Sequence, residues 1–117
     1  MGKIIAVDLD HTLCIPKSGN TYEKYGLADP IEHMIQLVNR LYEDGHEIII
    51  YTARRMLTHN GNVSEVIKDV GEITENWLKA HNVKYHRIVY GKLYFDVLLD
   101  DKGYRPEECL EELPFNL

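Results

Sequence analysis

Residues 4–12 read Ile-Ile-Ala-Val-Asp-Leu-Asp-His-Thr, a β-branched run that stops on two aspartates and a threonine. This junction constrains the chain more than any other stretch. Ile4 to Val7 are too few and too β-branched for a helix and read as a buried strand. Asp8 and Asp10 stand two apart, so in extended backbone both project to one side while Leu9 points to the other. Two carboxylates held close at a strand end repel. A fold keeps such a pair where a cation sits beside it or where chemistry uses it. The pair therefore points to a hard divalent metal, a nucleophile beside an acid, or both.

Beyond the junction the pattern alternates strand and helix, without repeats. Residues 3–9 read as the first strand. Asp29 suits an N-cap and Pro30 the first helical position, with Glu32 closing a capping-box-like pattern. Ile31, Met34, Ile35, Val38, Leu41 and Tyr42 keep helical spacing, and Gly45 ends that helix. Residues 47–52 form a second apolar strand, the kind covered on both faces. Ser64 is a plausible cap for a long helix with Val66, Ile67, Val70, Ile73, Trp77 and Leu78 as its stripe; Gly71 weakens its middle by roughly 1 kcal/mol. Residues 85–90 and 94–100 read as strands three and four, and Pro106 opens a short helix to Leu110. Such alternation implies right-handed crossovers, a parallel sheet, and a ligand site at the carboxyl ends of its strands. Asp8/Asp10, Thr52 and Asp100/Asp101 fall at those ends, and Lys92 falls in the turn after strand three.

Length and charge bound the alternatives. The 117 residues make one domain, 1–117, with a sizeable core. No apolar run nears the ~18 residues needed to span a bilayer, and no leader pattern opens the chain, so a cytoplasmic protein without a membrane partner is expected. Cys14 and Cys109 are too few for a disulfide framework and read as small packing residues. The formal net charge of −6 weighs against a nucleic-acid binder but leaves room for a small anion in a local basic pocket. The histidines His33, His46, His81 and His86 lack zinc-site spacing.

The ordered pieces Asp8-Leu9-Asp10-His11-Thr12-Leu13, Tyr51-Thr52-Ala53-Arg54, Gly91-Lys92 and Leu99-Asp100-Asp101 resemble the haloacid-dehalogenase (HAD) superfamily of phosphohydrolases along essentially the whole chain. Residues 51–78 and 91–102 are also similar to small bacterial phosphatases of capsule or surface-sugar biosynthesis. The resemblance implies a three-layer α/β/α Rossmann-like fold with a parallel sheet. It implies that Asp8 is the nucleophile, forming an aspartyl-phosphate, and that Asp10 is the general acid and then base. It implies Mg²⁺ held by Asp8, the Asp10 backbone carbonyl and an acid of the Asp100/Asp101 pair, with Asp100 favoured as the direct ligand. Thr52 and Lys92 would hold the phosphoryl oxygens where charge accumulates. Arg54 is a candidate second phosphate contact, with Arg55 as its competitor. His11 replaces the glycine usual in the first motif. It is a candidate substrate contact, acceptable there if its φ is negative or the turn adapts.

Two places where relatives insert a cap leave little room. Residues 13–29 suffice for a flap, and between Tyr90 and Lys92 only Gly91 stands. A capless enzyme is expected, its site open unless the loop 55–63 or a second copy covers it, with Tyr22, Tyr25 and Leu27 as candidate contacts. His59 of that loop is a further candidate substrate contact. The leading expectation is a Mg²⁺-dependent phosphatase of a small phosphorylated metabolite, a sugar- or polyol-phosphate. A polynucleotide-end phosphatase using a strip of Arg54, Arg55, Lys84 and Arg87 is the runner-up. A non-catalytic phosphate-binding or receiver-like module is the reading from another class. It is disfavoured because Asp10 is spaced for acid–base work and a receiver carries its phosphoacceptor on a later strand.

Overall fold

The chain folds around a parallel three-stranded sheet. The computed structural model describes residues 2–19 and 23–110. In chain order these form β1 (Ile4–Val7), β2 (Cys14–Ile15), α1 (Glu23–Gly26), β3 (Asp29–Pro30), α2 (Glu32–Glu43), β4 (Glu47–Thr52), α3 (Val63–Ala80), β5 (Arg87–Tyr90) and a 3₁₀ turn at Pro106–Cys109. The sheet order is β1-β4-β5, all parallel, with Val7 opposite Ile50 and Thr52 opposite Tyr90. This is a small, Rossmann-like α/β fold. Among the described residues, no helix is long and apolar enough to cross a membrane.

The middle strand explains the core. Ile48, Ile49 and Ile50 are all buried. Successive strand residues face opposite ways, so both faces of β4 are covered. Ile48 and Ile50 join Leu37, Val38 and Leu41 of α2 and Trp77 and Leu78 of α3 in one cluster. Each such fully buried side chain contributes about 1.5–3 kcal/mol. Gly45, at φ +96°, turns the chain from α2 into β4.

Several expected elements differ. β1 is not buried on both faces: Ile4 is 73% exposed and Ala6 is exposed, while Val7 is buried. It is an edge strand, because residues 94–100 form no ladder beside it. That segment has strand-like composition, and Val97, Leu98 and Leu99 lie exposed along it. Composition supplies the propensity, but a strand exists only where an edge receives it. Asp29 is no helix cap. It pairs with Ile15 in the short antiparallel β2–β3 ladder and bonds Lys17, and α2 starts at Glu32 behind Ile31. Asn62, rather than Ser64, caps α3 by accepting the Glu65 N–H. Gly71 does not interrupt α3, where it is buried beside Ile67 and the Tyr90 hydroxyl. Ile67 is exposed, and Thr74 takes a fully buried place on the stripe.

The described residues of the flap, 13–19 and 23–29, are fastened to the core. Leu13 and Cys14 are fully buried, and Tyr25 packs on Val66 and Val70 of α3. Trp77 donates its indole N–H to the Ala28 carbonyl at 3.0 Å. Tyr25 is buried yet lines a cleft at the carboxyl ends of the sheet, whereas Leu27 is exposed and Tyr22 lies outside the described residues.

Candidate active site

The carboxyl ends of the sheet carry a cleft of about 670 Å³ whose lining includes Asp8, Asp10, His11, Thr52, Arg54 and Lys92. Its position follows from the chain path. β1 ends at Val7, and the next seven residues curl into a turn anchored by Leu9 and Leu13, both fully buried. The N–H groups of Thr12, Leu13 and Cys14 all donate to the Leu9 carbonyl. With Leu9 held inside, Asp8 and Asp10 are left on the cleft side.

Each aspartate has its own cation. Lys92 Nζ lies 3.2 Å from Asp8 Oδ2, while Asp8 Oδ1 accepts the Leu9 N–H at 2.8 Å. Gly91 delivers Lys92 by taking φ +98°, and the Lys92 N–H donates to the Thr52 carbonyl. A Cβ on Gly91 would lie 2.8 Å from Val63 Cγ2, so both conformation and space call for glycine. Thr52 is 2% exposed, and its hydroxyl oxygen accepts the Arg54 N–H at 3.1 Å. Its O–H proton has no acceptor among the described residues, which leaves one donor for a ligand.

Arg54 has a different place from the one expected. Its side chain is fully buried, and its guanidinium grips Asp10: Nε at 3.1 and 3.0 Å from the two carboxylate oxygens, Nη2 at 2.8 Å from Oδ1. Nη1 donates to Thr74 Oγ1 at 2.8 Å, and the Tyr25 ring lies 4.2 Å from the guanidinium carbon. Most of its donors are engaged in holding Asp10, Thr74 and Cys14, and Arg54 still forms part of the cleft lining. Nothing in the sequence pattern pointed to this, because Thr74 and Tyr25 come from elements remote along the chain. Cys14 completes the support, its Sγ 3.5 Å from Asp10 Oδ1. Burial, and next the Asp10 charge, push the Cys14 thiol up to about 12.

His11 lines the cleft at φ +66°, a left-handed conformation for a residue with a Cβ. The turn thus keeps the conformation a glycine would take, which costs about 1–2 kcal/mol. His59 is turned to Asp69, its Nε2 at 2.8 Å, and is absent from the cleft lining. The other histidines serve the fold: His86 accepts the Ile48 N–H, His46 the Lys3 N–H, His33 meets the Pro106 carbonyl and His81 stacks on Trp77. The expected basic strip does not form. Arg54 is buried, Lys84 pairs with Glu43, and Arg87 lies 3.9 Å from Glu47.

Asp100 and Asp101 are not brought to the cleft. Both are exposed beyond the unpaired 94–100 segment, where Asp100 accepts the Lys102 N–H at 3.1 Å, and that bond first of all holds its carboxyl below the usual range. Among the described residues, no three His, Cys, Asp or Glu side chains gather as a metal-ligand set. The donors at the cleft suit a hard cation in kind, being oxygens open to water, and Mg²⁺ takes one or two carboxylates with waters and phosphate oxygens completing its shell.

A crystal structure of an MCSG target protein from Vibrio cholerae superimposes on this fold with a TM-score of 0.86. The two sequences are 32% identical over 97% of this chain and 91% of that one. The chain belongs to the same family as that protein. No family model matches the sequence, and no curated protein does.

Proposed function

We propose that the chain is a phosphomonoester hydrolase of the haloacid-dehalogenase type, acting on a small sugar- or polyol-phosphate of surface-polysaccharide metabolism. One observation carries the reading: Asp8 and Asp10 share one cleft wall yet are held by separate cations, Lys92 and Arg54. Two carboxylates kept in different settings are suited to two different tasks.

Asp8 attacks phosphorus, and the bond to the ester oxygen breaks as Asp10, which must first take up a proton from solvent against the pull of Arg54, gives that oxygen a proton. Asp10, now a carboxylate, takes a proton from water while the water oxygen attacks phosphorus. The bond to Asp8 breaks, releasing inorganic phosphate and restoring both side chains. Lys92 and the Thr52 hydroxyl donate to the phosphoryl oxygens as their charge grows. Arg54 keeps Asp10 aimed through both steps. Mg²⁺, when bound, neutralises the repulsion between carboxylate and phosphate. Asp8 and the Asp10 carbonyl would be its donors at the cleft, and an acid of the Asp100/Asp101 pair would have to be brought to them.

Phosphate release from hexose and polyol phosphates checks the reading. Chelation should abolish turnover and added Mg²⁺ restore it. Asp8→Asn should fall below detection, and Asp10→Asn should lose about 10²–10⁴-fold in kcat. Turnover that survives both chelation and Asp8→Asn would sink the mechanism.

A further inference from the structure

The cleft has a net positive lining in a chain that is net negative. Its lining holds Lys24, Arg54, Arg55 and Lys92 against Asp8 and Asp10, in a chain of net charge −6. Lys92 and Asp8 offset one another, as do Arg54 and Asp10. Arg55 Nε lies 3.8 Å from Asp69, which stands behind the cleft wall. Lys24 has no carboxylate within 4.0 Å among the described residues. It is half-buried on the flap, 5.1 Å from the Tyr25 ring. Arg55 lies 5.5 Å from the same ring, so two cations beyond the catalytic pairs collect around Tyr25 on one wall.

An anion is the natural occupant of such a wall. Lys92 and Thr52 already serve the phosphoryl group, and the cleft volume is that of a site for a whole small molecule. We infer that the substrate carries a second anionic group, a second phosphate or a carboxylate, and that Lys24 on the flap binds it. This inference rests on the phosphatase reading for its chemistry but on the flap wall for its geometry. The flap is thus a source of specificity, because it presents a charge that a neutral sugar leaves unmatched. Arg55, held by Asp69, adds field to the wall, whereas Lys24 supplies the direct contact.

Three probes of similar size test it: a hexose 6-phosphate, a hexose 1,6-bisphosphate and 6-phosphogluconate. The wild-type protein should show a KM about tenfold lower for one or both doubly charged probes than for the monophosphate, as one added ion pair of ordinary strength gives. Lys24→Gln should bring that ratio to about one, and Lys24→Arg should keep most of it. Which doubly charged probe is preferred separates phosphate from carboxylate. Equal KM values in the wild type, or a ratio unmoved in Lys24→Gln, overturn the inference. Calorimetric binding of the same probes keeps the two proposals apart. A preference that binds but never turns over, and that Lys24→Gln removes, upholds the charged wall while ending the hydrolase reading. Turnover with no preference does the reverse.

Discussion

Arg54 is the residue on which the site turns. A buried guanidinium is costly unless it is compensated, and here Asp10 and Thr74 accept from it while the Tyr25 ring lies against it, from three different segments. Truncation would strip Asp10 and Thr74 of their partner at once. Arg54→Ala should lower stability by about 2–3 kcal/mol in urea denaturation, as for a lost charged hydrogen bond. Arg54→Lys restores the charge but not the fork, so it should recover stability better than kcat, with KM nearly unmoved. An equal loss in KM would instead mean direct contact with substrate. His11 gives the opposite sign. Its φ of +66° is strained for any side chain. His11→Gly should raise stability by roughly 0.5–1 kcal/mol, the strain released less the added freedom of the unfolded chain. A KM that rises in the same variant would show that the imidazole also touches substrate.

Among elements, the turn between β5 and the cleft is the most demanding. Gly91→Ala must hold φ near +98° and push Val63 aside, so a loss of about 1–3 kcal/mol is expected in thermal or urea melts. Activity should fall further than stability, since Lys92 rides on that turn. The glycine was legible in the sequence as part of Gly91-Lys92, and so were Asp8, Asp10 and Thr52, because local patterns and strand ends set their places. The middle strand at 47–52 matches its apolar run residue for residue. What stayed hidden depends on partners far along the chain. Asp29-Pro30 has good capping chemistry, yet its backbone is taken by Ile15 and Cys14. Residues 94–100 have strand-forming side chains but no ladder, and with them Asp100 and Asp101 lie away from the cleft. Arg54 reads as an exposed anion binder until Thr74 and Tyr25 close around it.

At the scale of the whole molecule, burial holds the protons of Cys14, Tyr85, Tyr90 and Cys109 more tightly folded than unfolded, Cys14 and Tyr90 most of all. Burial pushes Cys14 from 9.0 to about 12 and, with the Glu75 charge next in weight, Tyr90 from 10.0 to about 12. Above pH 9 the unfolded chain sheds these protons while the native one keeps them. Stability should therefore fall with rising pH between about 9 and 12. Urea midpoints across that range check the slope, and Cys14→Ala with Tyr90→Phe should flatten it. The fastened flap has a consequence of another kind. Tyr25 packs on α3 and the α3 residue Trp77 bonds Ala28, so the described part of the flap is fixed at two points beside the cleft. A phosphorylated Asp8 would then stand permanently before bulk water, with no closed chamber in which another alcohol could compete for the phosphoryl group. Such an architecture favours handing that group to water over passing it to a second acceptor.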